Sequence, residues 1–269
     1  MSYDIGSDHC RVSSERAGTT GFSRFEFFRH LFAYHECQKN ISFPGSILEI
    51  GCGEGYGADY LVKSGNEVVA TDFDPQALSY AGSKYPEVRF CAAHGTKLPF
   101  LSDTFDFALS FQVIEHIKDD NAFLKEVFRV LKPAGVFFLT TPNRRLRLLP
   151  FQKPWNTCHV REYSDIGLKK LFYHNSFDVQ MSGVSTKPEF LTMEINRVKQ
   201  SPAKLILKSL YSTLNKYCGL PGTEMLRKKF TNKHQRADTD FAGETVLTDF
   251  FTSFDTRRCL DLFVIARKK

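Results

Sequence analysis

The stretch ILEIGCGEGYGADYL, residues 47–61, sets an acid, Glu49, ahead of glycines at 51, 53 and 55. Glycine weakens regular structure, and its use is to take positive φ or to let a ligand approach bare backbone. Ile47 to Ile50 is apolar enough for a central strand, and the residues from Tyr56 read as a helix. The glycines therefore form a strand-turn-helix that can hold a ligand against main-chain amides at a helix N-terminus. A phosphate loop needs Lys followed by Ser or Thr, and neither follows Gly57; the dinucleotide spacing G-x-G-x-x-G fails at Tyr56. A second acid, Asp72, ends VVATD, where a carboxylate can accept from both hydroxyls of a ribose. Phe73 beside it can cover one face of a base, while Asp74 has the separate task of capping the helix that opens with Pro75. Further on, Glu115, His116, His159 and Glu162 are titratable groups expected above the strand ends.

Taken as E-x-G-x-G-x-G, residues 49–55 resemble motif I of the class I S-adenosylmethionine-dependent methyltransferases. The likeness continues through AAHGTKLPFLSDTFDFALSF, similar to G-D-A-x-x-L-P-F followed by S-F-D, and through the E-H pair at 115–116, RVLKPAG and TPN up to Asn143. The resemblance implies S-adenosylmethionine as methyl donor, with Glu49 toward its ammonium, Gly51, Gly53 and Gly55 along its backbone, and Asp72 on its ribose. Phe73 would then lie on the adenine, and Phe111 and Gln112 at the amino-acid end. Aligned on Leu98-Pro99-Phe100, the family's adenine-contacting Asp falls on His94, a departure that leaves His94 and the Gly95 amide to meet the adenine edge. Ala134 replaces the first glycine of the usual K-P-G-G turn. RHLFA (29–33), CHVREYS (158–164) and LDLFVIARK (260–268) are similar to a bacterial branch that accompanies cell-surface polysaccharide biosynthesis, and by that analogy Arg29 approaches the donor carboxylate.

A sulfonium methyl is already electrophilic, so such a protein has to align donor with acceptor and exclude water, and needs no covalent nucleophile. A hydroxyl acceptor must lose its proton, and histidine suits that task near neutral pH. His116 is the first candidate base and His159 the second. No metal is expected, since carboxylates and histidines do not cluster at ligand spacing along the sequence. The expected acceptor is a small molecule or a glycan. A quinone or other lipid-soluble acceptor is the alternative, and a non-catalytic adaptor that keeps the fold is a third. Nucleic acid is not expected as a partner, because the N-P-P-Y motif of exocyclic-amine methylation is missing.

These groups have to be positioned by alternating strands and helices. SILEI (46–50), EVVATD (67–72), VRFCAA (88–93), FDFALSF (105–111), GVFFLTTP (135–142), FDVQMSGVS (177–185) and CLDLFVIAR (259–267) read as strands. Between them lie helical patterns at 56–65, 74–85, 120–132 and 165–175, with Phe25, Phe28, Phe32 and His35 marking a helix ahead of the first strand. This βαβ rhythm, with the resemblance, predicts an α/β, Rossmann-like, doubly wound and mostly parallel seven-stranded sheet with helices on both faces, plus a helical insertion before the last strand. The expected organisation is an N-terminal segment and helix at 1–45, a donor-binding core at 46–185, an insertion at 186–258 that could cap the acceptor, and the last core strand at 259–269. The insertion carries an expected helix at 202–217 and mixes Phe190, Tyr211, Tyr217 and Phe230 with basic residues including Lys199, Lys204, Lys208 and Arg227 to Lys229.

At 269 residues, 42% hydrophobic and 25% charged, the chain can bury a substantial core. Its net charge of +6 is spread rather than striped, which argues for a solvated surface over a nucleic-acid track. Seven cysteines without a C-x-x-C pair suggest neither a disulfide framework nor a zinc site, and a cytoplasmic location is expected. No apolar run has the length of a membrane span, although 26 phenylalanines leave room for contact with a membrane surface.

Overall fold

The computed structural model describes residues 24–148, 152–154, 156, 158–198 and 245–269. The expected helix at 202–217 lies outside them. Eight strands form one sheet: β1 (Ser46–Ile50), β2 (Glu67–Asp72), β3 (Arg89–Ala92), β4 (Phe105–Phe111), β5 (Leu131–Pro142), β6 (Phe177–Thr186), β7 (Phe250–Ser253) and β8 (Asp261–Lys268). Their spatial order is β3-β2-β1-β4-β5-β8-β6-β7. The first five are parallel, whereas β8 runs antiparallel to both β5 and β6, and β7 antiparallel to β6. Order reverses between β1 and β4, so a crevice opens at their C-terminal ends, where a doubly wound sheet takes its ligand.

The sheet has one strand more than the seven expected. The addition, β7, is a four-residue edge strand inside the stretch read as an insertion, and four residues are too few to display a period. That stretch also contributes helix α7 (Pro188–Val198). The other helices are α1 (Arg24–Asn40), α2 (Tyr56–Lys63), α3 (Pro75–Lys84), α4 (Asp120–Val130), α5 (Arg144–Arg147) and α6 (Asp165–His174). Asp74, Asp119 and Ser164 cap α3, α4 and α6 through their side chains. Ala134 sits at φ +60, so the turn ahead of the β5 core keeps the left-handed conformation that glycine adopts more cheaply. Cys37, Cys52, Cys91 and Cys259 are free thiols. Cys158, in contrast, is disulfide-bonded, which the cysteine spacing did not suggest.

Alternation along the strands feeds two cores. Ile47, Phe107, Leu109 and Phe138 face one side, where they meet Phe32 of α1, Leu61 of α2 and Phe190 of α7. Leu48, Ile50, Ala108 and Phe137 face the other, against Phe123 and Val127 of α4 and Phe172 of α6. Helix α1 is clamped at two points that bear on the crevice. Arg29 is buried and pairs in a fork with Asp261 of β8, its Nε 2.6 Å from Oδ2, while Glu194 of α7 lies 3.7 Å from its guanidinium. Tyr34 meets the ring of Phe111 edge to face, with centroids 4.8 Å apart.

Close approach of α2 to Tyr34 depends on Gly57, because a Cβ there would coincide with the tyrosine ring. Gly57→Ala should therefore lower stability by about 1–3 kcal/mol, as overpacking of a filled interior does. Urea unfolding with an unchanged midpoint would show that Tyr34 has room to move.

Candidate functional site

Strand β1 runs straight into the glycine turn. The amides of Gly51 and Cys52 both donate to the carbonyl of Thr71, at 2.7 and 2.9 Å, which bends the chain sharply at the tip of the sheet. Gly51, Gly53 and Gly55 have φ of +84, +52 and +81. Their reasons differ. A Cβ on Gly51 would run into Val113, and one on Gly55 would sit 2.8 Å from the Phe90 ring, so these two glycines serve packing as well as conformation. At Gly53 nothing lies within 4 Å of the missing Cβ. This is the open backbone of the loop, where a ligand can come against the main chain.

Glu49 stands below that opening, 2% exposed. Its Oε1 accepts from the Tyr34 hydroxyl at 2.5 Å, and its Oε2 is buried without a hydrogen-bond partner among the described residues. Burial pushes the carboxyl up to about 7, against the lowering effect of the Tyr34 hydrogen bond and with a further rise from Asp72. A carboxyl left half-satisfied in this way can receive an ammonium. Asp72 accepts from the Gly53 amide through Oδ2 and from the Asp74 amide through Oδ1, each at 2.9 Å, so one side chain ties the glycine turn to the tip of β2. Each of its oxygens keeps a lone pair for a ribose hydroxyl. Phe73, next to it, is 62% exposed on the rim.

The remaining residues expected at the donor site are placed less uniformly. His94 is exposed and holds its own turn, with Nδ1 2.8 Å from the Thr96 hydroxyl. Gly95 is buried, and a Cβ there would meet Phe123 at 2.9 Å, so its small size is explained by packing on α4. Phe111 ends β4 beside Tyr34, and Gln112 follows in the left-handed region at φ +59, its side chain 3.3 Å from Thr140 Oγ1. Arg29, expected near a donor carboxylate, spends the paired edge of its guanidinium on Asp261. Tyr34, the partner of Glu49, and Gly57, which makes room for the Tyr34 ring, were missed. The signal lay in the helical spacing of α1, which orders Tyr34 but cannot say what it faces.

A second group of polar side chains gathers past the tip of β4. Ile114 to His116 form a short 3-10 turn, and Val160 and Arg161 donate their amides to the carbonyl of Glu115, at 2.8 and 3.4 Å, which brings the loop carrying His159 and Glu162 over it. The rings of His116 and His159 lie 4.9 Å apart at 82°. His159 Nδ1 is 3.0 Å from Oε1 of Glu162, which in turn pairs with Arg147 of α5 at 3.2 Å. Glu115 is fully buried, and burial raises its carboxyl to about 7, opposed by His159. Glu115, His116 and His159 each offer a ligand atom within 4.8 Å of one another. This grouping in space was not visible in the linear spacing. The loop fold, absent from linear spacing, closes the gap of more than forty positions between them.

Together the reversed strand order, the glycine turn and the acids on two adjacent strand tips define a Rossmann-like α/β fold with its crevice at the switch point. Residues 48–139 match the family model described as a methyltransferase domain. Over 169 residues the chain is 35% identical to a Mycobacterium tuberculosis protein named "Probable S-adenosylmethionine-dependent methyltransferase", covering 62% of this chain and 61% of that one. The chain thus spans about six-tenths of the length of this curated relative. It is also 32% identical over 109 residues to a ubiquinone biosynthesis O-methyltransferase of Parvibaculum lavamentivorans, covering 39% of this chain and 43% of that protein. Among solved structures, a possible histamine N-methyltransferase from Thermotoga maritima superposes with a TM-score of 0.56 at 17% identity, covering 90% of this chain and 92% of that one. The YcgJ protein from Bacillus subtilis does so with a TM-score of 0.54 at 20% identity, covering 89% and 99%. Both share the fold.

The raised carboxyl of Glu49 makes stability depend on pH. Its value in the fold, about 7, lies above the ordinary 4.5, so the unfolded chain loses this proton first. The favourable contribution is complete below about pH 4.5 and is lost as pH rises to about 7. Glu49→Gln should therefore lose less stability than the parent between pH 5 and pH 7.5 in urea unfolding, while Glu115 acts alike in both proteins. Equal losses would mean that Glu49 ionises as freely in the fold as in water.

Proposed function

We propose that this protein is an S-adenosylmethionine-dependent methyltransferase that methylates a hydroxyl of a small molecule or glycan. The observation that carries the reading is the open main chain at Gly53, set between a half-satisfied buried Glu49 and an Asp72 that already ties the turn. S-adenosylmethionine supplies a methyl group on an electrophilic sulfonium. Glu49 receives the ammonium on its unpartnered oxygen, Asp72 accepts from the ribose, and Phe73 shields the adenine face. Gly95, His94, Phe111 and Gln112 complete the rim. Val113, which abuts Gly51, leads directly into Glu115 and His116, so this polar group adjoins the donor loop. His116 and His159 are the residues we assign to the acceptor hydroxyl. The names of the M. tuberculosis relatives support the donor and the reaction class.

A role in cell-surface polysaccharide synthesis is our reading of the acceptor, resting on the branch-level likeness at 29–33, 158–164 and 260–268. The second reading, a quinol-like lipid-soluble acceptor, is favoured by the ubiquinone-pathway relative. Exposed Phe251 and Phe254 on and beside β7 offer apolar surface for membrane contact in either case. Among the described residues no helix is long and apolar enough to cross a membrane.

Methyl-labelled donor incubated with phosphorylated sugars, nucleotide sugars and a catechol-type quinol discriminates these acceptors. Label on a sugar hydroxyl supports the first reading, label on the quinol the second, and donor binding without turnover on any of them supports an adaptor. For the donor itself, Asp72→Ala should weaken S-adenosylhomocysteine binding by about 1–3 kcal/mol, as loss of hydrogen bonds to a charged partner does. The effect should largely vanish for an analogue lacking the 2′ and 3′ hydroxyls. Equal losses for both ligands, measured by titration calorimetry, would assign Asp72 to shaping the loop alone.

A further inference from the structure

Both imidazoles of the cluster past β4 are oriented in the same way, through Nδ1. His116 Nδ1 lies 3.0 Å from the carbonyl oxygen of Cys158, and His159 Nδ1 lies 3.0 Å from a carboxylate oxygen of Glu162. Those oxygens accept, so each ring donates through Nδ1 and is fixed in orientation by that bond. A carbonyl or carboxylate on the far nitrogen is how proteins orient a histidine that ligates a metal. Glu115 completes the set. Its Oε2 accepts from Thr141 Oγ1 at 3.0 Å, while its Oε1 is buried with no hydrogen-bond partner among the described residues. A buried carboxylate oxygen in that condition calls for a positive charge.

We propose that Glu115, His116 and His159, with ligand atoms within 4.8 Å of one another, bind a divalent first-row transition-metal ion. Two imidazoles and one carboxylate suit Zn2+, Co2+, Ni2+ or Fe2+, whereas Mg2+ and Ca2+ favour oxygen ligands throughout. Three protein ligands leave coordination positions for a substrate oxygen. Glu162 is a positioning residue: it orients His159 and is itself fixed by Arg147.

The use of this site rests on the proposed methyl transfer to oxygen, although its existence does not. An ion held here lowers the pKa of an acceptor hydroxyl bound to it. The hydroxyl proton passes to water, the oxygen forms a bond to the methyl carbon, and the carbon–sulfur bond breaks with its electron pair going to sulfur. The ion keeps its oxidation state. In this arrangement His116 and His159 hold the metal and do not take the proton themselves.

The test uses the full chain, stripped with a chelator and dialysed. Titration with Zn2+ should show one site, and Co2+ should give visible d–d absorption that Zn2+ abolishes. The His116→Ala, His159→Ala double variant should bind Zn2+ at least about 100-fold more weakly, and Glu162→Gln about 10–100-fold more weakly, as loss of an orienting partner does. Zinc X-ray absorption on the unaltered protein covers the case in which the variants do not fold. Imidazole scattering is expected there, and a sulfur-dominated shell would place the ion on cysteines and overturn the proposal. So would Zn2+ binding that is equal in the parent and the folded double variant. If Zn2+ binds at the cluster but no hydroxyl is methylated, the metal site stands and the proposed reaction falls. If hydroxyls are methylated at full rate by protein that binds no Zn2+, the reaction stands and the metal site falls.

Discussion

A carboxyl group buried at the tip of β1 with one oxygen unmet is the constraint on which the arrangement of the crevice depends. Glu49 cannot retreat into solvent, because α1 lies across it and Tyr34 holds one of its oxygens. It cannot be relieved from within the sheet, because the neighbouring acid, Asp72, adds to the cost of ionising it. The protein keeps a group whose charged form is costly, which a cation placed beside it would relieve. Binding sites often keep such local cost where stability alone would favour removing it.

The surrounding elements can be understood as supports for that group. Gly57 lets α2 approach Tyr34, the Arg29–Asp261 pair fixes α1 to the far part of the sheet, and Asp72 fastens the glycine turn to β2. The same topology sets the second polar group nearby. Strand β4 lies beside β1, and its continuation passes Gly51 at Val113 before presenting Glu115 and His116. The buried acid of the glycine turn and the Glu115–His116 group are thus brought to adjacent strand tips by parallel order, and the loop bearing His159 and Glu162 closes from the side through backbone hydrogen bonds to Glu115.

Much of this was legible in the sequence, for reasons that differ by element. Strands β1, β2 and β4 are buried on both faces, so apolar runs bounded by turns located them within a residue or so. The capping roles of Asp74 and Ser164 are local chemistry, and Asp74 was read from its own neighbours. What escaped was set by tertiary contact. The edge strand β7 gains its conformation from pairing with β6 rather than from its own pattern, and α7 is placed by packing Phe190 beside Phe25. The pairing of Arg29 with Asp261 spans 232 positions, which no spacing rule reaches. His94 and Gly95, read as donor contacts from their alignment, have local roles besides, a turn hydrogen bond and packing on Phe123, that the alignment did not show.

The most direct measurement is a crystal structure of the full chain with S-adenosylhomocysteine. The account predicts the amino-acid ammonium on Glu49 Oε2, the ligand backbone passing over Gly53, the ribose hydroxyls on Asp72 and the adenine against Phe73. A ligand bound elsewhere, or a saturated crystal in which the space at Gly53 is filled only by solvent, would contradict it.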